Sequence, residues 1–320
     1  MRVVVSGGTG FVGRALSHVL VGRGDRAVIL TRGPARAMSH ACSECGAGGK
    51  VEFATWTPER AGGWMDLVDG ADAVVHLAGA SVADERWTDE RKRLLRSSRI
   101  VSTQLLAQAI AKAKRKPSVF VSVSGVGHYG IKTGDAVVTE ETPPGDDFLA
   151  VLTRDWEDAA KAAADAGVRV VHPRLGLVLG RGGGVYGKLA PIFKAFVGGP
   201  VGDGKQYMPW VHLRDVVSAF EAMLERSDLS GAYNVTAPEP VTMNTFAEEL
   251  GASLNRPSLM RVPSFAVKLA MGAEAAQAVL TGQRAVPKRL VDAGFAFVFP
   301  DLRSALADLA SGEATAAATV

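Results

Sequence analysis

The sequence predicts an α/β fold: a doubly wound parallel sheet with a smaller lobe on its C-terminal, substrate side. Three observations predict it. Short β-branched apolar runs alternate with helix-length amphipathic segments from the first residues onward. A glycine cluster follows the first run directly, and from Gly176 the texture becomes rich in glycine and proline. Strands separated by helices imply right-handed βαβ crossovers and therefore parallel pairing.

Each element has its own signal. Val3, Val4 and Val5 form the first strand, glycines stand at 7, 8, 10 and 13, and a helical pattern covers 11–20. Strands two and three read at 27–30 and 51–54, and strand four at 73–77, ending in Ala78 and Gly79. Residues 93–114 carry Ile100, Leu105, Leu106 and Ile110 at helical spacing. Strand five reads at 119–123, a helix at 156–166 stopped by Gly167, and strand six at 168–171. Helices at 212–224 and 242–254 flank a short strand at 233–235. The expected organisation is a nucleotide-binding domain over 1–235, with lid or substrate loops at 176–209, then a C-terminal lobe over 236–311. Residues 312–320 lack apolar periodicity and are expected to fray. Within this scheme the main sheet draws on 1–175 and roughly 210–236.

Composition excludes more than it identifies. With 320 residues, 47% hydrophobic and 22% charged, the chain can bury a substantial core. A net charge of +3 is too small for a dedicated nucleic-acid binder. No apolar run reaches the roughly 18 residues that would cross a bilayer. The first residues already read as a core strand, which leaves no room for a targeting peptide, and two cysteines fit a reducing compartment; a cytoplasmic location is expected. Cys42 and Cys45 form Cys-x-x-Cys near His40, but no second ligand pair exists, so no metal is expected. They read as incidental thiols of an exposed loop.

Gly8, Gly10 and Gly13 satisfy G-x-G-x-x-G, with a strand before and a helix after. Glycine permits the tight turn and the approach of backbone to a pyrophosphate, which then meets free N–H groups at the helix N-terminus. This is a Rossmann-type turn, and Gly7, Gly10, Phe11, Val12 and Gly13 are its expected cofactor contacts. An NAD site places an acid at the end of strand two to hold the ribose 2′-OH. Here that strand ends Leu30-Thr31-Arg32, with Arg36 following and no acid. Guanidinium groups grip a 2′-phosphate and a carboxylate repels it, so Thr31, Arg32 and Arg36 favour NADP(H) over a reading as solvated loop charges.

The motifs resemble those of extended short-chain dehydrogenase/reductases. Gly7-Gly8-Thr9-Gly10-Phe11-Val12-Gly13 resembles the nucleotide loop, His76-Leu77-Ala78-Gly79 the loop after strand four, and Trp210-Val211-His212-Leu213-Arg214-Asp215 the entry to the C-terminal part. More narrowly, the chain is similar to the atypical branch of sugar-nucleotide epimerase-like proteins of unknown substrate. Arg86-Trp87-Thr88, His128-Tyr129-Gly130, Gly198-Gly199-Pro200, Ala293-Gly294-Phe295 and the run from Gly282 to Leu290 carry that likeness, which spans about 310 residues.

The resemblance implies further cofactor contacts at Leu77, Ala78, Gly79 and Ser122, and at Pro173 and Arg174 following strand six. It also implies a Tyr-x-x-x-Lys pair on the helix leading to Glu157, where lysine lowers the tyrosine pKa for proton exchange. Those places hold Leu149 and Thr153, and neither titrates usefully. The resemblance also implies a catalytic serine at the end of strand five, Ser122 or Ser124, with Tyr129 in the loop that follows; Ser124 and Tyr129 are the catalytic candidates, packing is the alternative for Tyr129, and His128 is a further proton carrier. Arg99 lies near the place of an active-site asparagine, either clamping an anionic substrate or pairing with an acid. Arg86 and Trp87 follow strand four. Gln283 and Arg284 fall in the part that supplies substrate contacts, and Tyr207, Met208, Trp210 and His212 either wall the pocket or belong to the core.

Two functions follow. One is an NADP(H)-dependent oxidoreductase or epimerase acting on a small substrate, free or nucleotide-linked. The other is a binder that senses NADP(H) without turnover, which the missing Tyr-x-x-x-Lys favours. A homodimer is the oligomer the resemblance implies, with neither nucleic acid nor membrane as partner.

Overall fold

A computed structural model describes residues 1–33 and 50–317, with side chains considered through residue 312. Arg36, His40, Cys42 and Cys45, singled out above, lie outside the described residues.

Seven strands form the main ladder: β1 (Arg2–Ser6), β2 (Arg26–Thr31), β3 (Lys50–Thr55), β4 (Ala73–His76), β5 (Val119–Ser122), β6 (Arg169–Leu175) and β7 (Gly231–Val235). Their spatial order is β3-β2-β1-β4-β5-β6-β7, and every pair is parallel. The chain reverses direction between β1 and β4, so the carboxyl ends of these two strands open the crevice where ligands of such sheets bind.

Side chains alternate across each strand, and this alternation builds two cores. Val3, Val5, Ile29, Val75 and Val121 pack on one face with α1 (Phe11–Gly22). Val4, Val28, Leu30, Val74 and Phe120 pack on the other with α2 (Asp89–Lys112). Both faces are dry, which is why these strands read as unbroken apolar runs rather than as alternating ones.

The next helices are α3 (Phe148–Asp158) and α4 (Lys161–Asp165). The single helix expected over 156–166 is thus two, interrupted at Ala159 and Ala160, and the first begins eight residues earlier. Asp147 starts it by accepting from the N–H groups of Leu149 (2.9 Å) and Ala150 (3.2 Å), a cap that apolar periodicity does not reveal. Strand six runs on to Leu175, so Pro173 and Arg174 lie within β6 rather than after it. Pro173 has no N–H to give. The ladder with the preceding strand stops at Val121–Val171 and resumes at Ser124–Arg174, and the proline falls in that gap.

Residues 176–209, expected as loops, contain a strand over Leu177–Gly180 and the helix α5 (Gly184–Lys194). Then come α6 (Leu213–Glu225), α7 (Met243–Ser253), α8 (Ser264–Met271), α9 (Ala273–Thr281), α10 (Lys288–Asp292) and α11 (Leu302–Ala317). A third core joins Tyr186, Phe193, Trp210, Phe246 and Leu306 beneath the C-terminal lobe. The backbone of α11 stays helical to Ala317, past the point where fraying was expected, in keeping with the alanines of its last turns.

Candidate functional site

The turn after β1 is shaped by backbone crowding. Gly7 has a φ of 72°, and a Cβ there would come within 2.7 Å of the Ala78 nitrogen. A Cβ on Gly13 would overlap the Gly7 carbonyl oxygen, so only glycine lets α1 start this close to the turn. Gly10 caps α1 without any side-chain acceptor, and the first helical bond runs from Arg14 N–H to Gly10 O (2.9 Å). The N–H groups of Phe11, Val12 and Gly13 therefore point out of the helix at its positive end. This cradle fits a pyrophosphate. The Phe11 ring turns away from it and packs against Gly180, Gly183 and Gly184, where side chains would collide with the ring.

The flanks converge on the same crevice. Leu77 N–H donates to Ser6 O (3.0 Å), bringing the loop Leu77-Ala78-Gly79 against Gly7. Behind it His76 is fully buried, Nδ1 hydrogen-bonded to Ser6 Oγ and Nε2 to Ser102 Oγ at 3.0 Å. Burial, aided by the Arg99 charge, lowers its pKa to about 3, so the ring is a neutral strut. At the end of β2, Thr31 Oγ1 accepts from Gly33 N–H (3.3 Å), while Arg32 is exposed. Ser122 is wholly buried at the end of β5, its hydroxyl without a partner.

Beyond β5 the catalytic candidates meet a charged pair, Glu157 and Arg174, whose pairing the sequence did not reveal; Arg174, expected as a cofactor contact, is almost wholly buried in it. Ser124 Oγ donates to Glu157 Oε1 (2.7 Å). Arg174 clamps the same carboxylate through Nε (2.8 Å) and Nη2 (2.9 Å). Its Nη1 donates to the Tyr129 hydroxyl (3.1 Å), which in turn donates to Asn234 Oδ1 (2.6 Å). Ser124 and Tyr129 are thus joined end to end through Arg174 and Glu157. Burial pushes the Tyr129 phenol above its ordinary 10, against the Arg174 charge, so its proton stays on oxygen at neutral pH. Burial also disfavours the Glu157 anion, yet the hydrogen bonds and charge of Arg174 outweigh that and hold its carboxyl below 4.5. His128 is buried beside them, its Nδ1 without a hydrogen bond and 3.9 Å from Glu157 Oε1. Burial, then the Arg174 charge, brings the imidazole to about 4. On α3, Leu149 and Thr153 occupy the Tyr-x-x-x-Lys places, and the Thr153 hydroxyl donates back to Leu149 O (2.9 Å).

Other candidates serve as structure. Gln283 Nε2 donates to Gly130 O (2.8 Å), and Arg284-Ala285 pairs parallel with Val137-Val138. The Gly282–Leu290 run therefore clamps the lobe onto the loop after β5. Glu140 completes the clamp, accepting from Asn234 N–H (2.9 Å) and from Arg289 N–H. Arg86 donates to Ala270 O (3.1 Å) and Leu269 O, tying the loop after β4 to α8. Trp87 packs on Phe148 with ring centroids 5.2 Å apart. Trp210 is fully buried and His212 caps α6, accepting from Arg214 N–H (3.1 Å), so both belong to the core. Tyr207 lies under the Arg284 guanidinium (5.0 Å), and Met208 joins the third core. Among the described residues no cluster of three His, Cys, Asp or Glu could hold a metal, and no helix is long and apolar enough to cross a membrane.

Comparison with known proteins fits this geometry. The model of the NAD dependent epimerase/dehydratase family matches residues 3–236, and that of a domain of unknown function, DUF1731, matches 262–309. The chain is 38% identical to epimerase family protein SDR39U1 of Bos taurus over 317 residues, covering 97% of this chain and 99% of that protein. It is 38% identical to epimerase family protein ML0860 of Mycobacterium leprae over 296 residues, 92% of this chain and 91% of that one. A crystal structure of the human protein SDR39U1 (isoform 2) with NADPH superposes with a TM-score of 0.86 at 36% identity, covering 97% of this chain and 99% of the other. A sheet order that opens its crevice at a glycine turn, and a family match across the whole of that sheet, lead to one conclusion: the chain belongs to the NAD dependent epimerase/dehydratase family.

Proposed function

We propose that the protein binds NADP(H) and acts as an oxidoreductase or epimerase on a small substrate. The observation that carries this reading is the backbone cradle at Gly7–Gly13, closed on one side by Ala78 and opened by the uncapped first turn of α1. A relative solved with NADPH supports the choice of cofactor, as does Arg32 at the end of an acid-free β2. The pyrophosphate falls to Gly10, Phe11, Val12 and Gly13, the 2′-phosphate to Arg32, and the flank of the dinucleotide to Leu77, Ala78 and Gly79.

Bound NADP(H) supplies or accepts a hydride. The protein's part is then to move a proton at the reacting oxygen. Ser124 Oγ already donates to Glu157, so its lone pairs are free to accept from a substrate hydroxyl while its own proton passes to the carboxylate. Tyr129 is a positioning residue in this reading: it holds Arg174, which holds Glu157 ionised. This revises a direct role for Tyr129, because its single proton is committed to Asn234. A low-pKa carboxylate is a weak base, so turnover is slow.

One observation favours a second reading, a cofactor sensor without turnover: Leu149 and Thr153 leave α3 without a Tyr-x-x-x-Lys pair. The deciding experiment follows NADPH absorbance with a panel of carbonyl compounds, alongside direct NADPH titration. Binding with consumption supports the enzyme. Binding with none across the panel supports the sensor, and absence of NADPH binding removes both.

A further inference from the structure

Three arginines of the site region are almost wholly buried: Arg91 and Arg99 each 9% exposed, and Arg174 5%. An arginine cannot shed its charge to suit a dry setting, so each needs compensation. Arg174 has Glu157, and Arg91 has Glu85 at 3.1 Å. Arg99 has no carboxylate among the described residues. Its Nη1 donates to Leu95 O (3.2 Å) and its Nη2 to Ala80 O (2.8 Å), and the group stacks 5.0 Å from the Trp156 ring centre. Two carbonyls and a ring face satisfy part of a five-donor fork and none of its formal charge. The charged group nearest in influence is Arg91, of like sign, and Arg99 nonetheless remains a cation at neutral pH, burial and that neighbour bringing its pKa to about 10.

The position of this uncompensated charge is specific. The guanidinium lies against Gly79, where a Cβ would sit 3.2 Å from Cζ, so the missing side chain brings it up to the loop that flanks the proposed dinucleotide. It also packs on the helix α3 that carries Glu157. The alternative role left open by the sequence, a partner for an acid of the helical layer, has no such acid among the described residues.

We infer that Arg99 is the anion-recognition residue of this crevice and takes a carboxylate or phosphate group of a bound small molecule. The inference rests on the reading of the crevice as the NADP(H) site. The anion has two sources, a substrate bound beside the cofactor or a phosphate of the cofactor itself. A planar fork meets either group with two parallel bonds, which lysine cannot reproduce.

Inorganic phosphate and acetate serve as probes, titrated into the full-length protein with and without NADPH and read by nicotinamide fluorescence and thermal shift. NADPH affinity is measured separately on each variant. Saturable binding of phosphate or acetate to wild type, weakened at least tenfold in Arg99→Met with NADPH affinity within threefold, supports the inference with a substrate anion as the source. A tenfold loss of NADPH affinity in Arg99→Met, with phosphate competing against NADPH, supports it with a cofactor phosphate as the source. Unchanged affinities for all three ligands overturn it, as does failure of wild type to bind either probe when NADPH affinity is also indifferent to Arg99. If Arg99→Met does not fold, Arg99→Lys decides: it keeps the charge and loses the fork, so at least a fivefold weakening is expected and unchanged affinity overturns the inference. A wild type that ignores NADPH but binds phosphate through Arg99 refutes the cofactor reading alone.

Discussion

Arg174 and Glu157 meet at two points, Nε to Oε1 at 2.8 Å and Nη2 to Oε2 at 2.9 Å, and each carries a catalytic candidate on its far side. Ser124 hangs on the carboxylate and Tyr129 on the guanidinium, so two residues five apart in sequence report on one ion pair.

The two candidates then separate by magnitude. Ser124→Ala removes the group proposed to touch substrate, and kcat on any carbonyl compound that is turned over should fall about a hundredfold, the scale for losing a positioned proton carrier. Tyr129→Phe acts through Arg174 and should cost about tenfold in kcat, with a lower Tm because Asn234 Oδ1 and Arg174 Nη1 each lose the hydroxyl they bind. Both variants should keep wild-type NADPH affinity. A loss on Tyr129→Phe as large as that on Ser124→Ala would restore a direct role for the phenol.

Arg32→Ala should weaken NADPH binding about ten- to a hundredfold and leave NADH binding almost unchanged. Losing a charge-assisted contact costs about 1.5–3 kcal/mol, and roughly 1.4 kcal/mol is tenfold. Titration of both cofactors by fluorescence measures it, and equal losses would show that Arg32 does not read the 2′-phosphate.

Gly13→Ala places a methyl group into the Gly7 carbonyl oxygen, which a flexible side chain cannot relieve because both partners are backbone. The turn must open, and both the Tm and NADPH affinity should fall together, the stability by about 1–3 kcal/mol. Wild-type affinity in a folded Gly13→Ala protein would argue against this turn as the phosphate site.

Acid should destabilise the protein well above the carboxylate range. Burial holds His76 at about 3 and His128 and His212 at about 4, against 6.5 for a free imidazole. The unfolded chain binds these protons first, so stability is full above pH 6.5 and is lost as pH falls toward 4. Each group adds a slope of about 1.4 kcal/mol per pH unit between its two pKa values. Glu157, depressed below 4.5, adds to the loss only under that pH. Calorimetry across pH 4–8 should show this fall in Tm, and a shallower one in His128→Phe. An unchanged slope in that variant would mean His128 is already protonated in the fold.

Much of the architecture was written in local patterns. Short, β-branched runs bounded by glycine favour two-sided buried strands over helices, and G-x-G-x-x-G carries its conformational reason in its own spacing, so the sheet and its glycine turn were legible from residues 3–13 onward. The family likeness was likewise legible, because its motifs are contiguous. What only the tertiary structure decided is which charges meet. Glu157 and Arg174 are 17 residues apart, and Asn234 lies 105 residues from the Tyr129 it binds. Such pairings depend on β5, β6 and β7 lying side by side, and no periodicity records them. The same holds for the absence of a partner: Arg99 looked equally suited to an acid or a ligand until packing showed which neighbours surround it. Sequence spacing encodes the backbone's local preferences, whereas the compensation of a buried charge is a property of distant segments brought together.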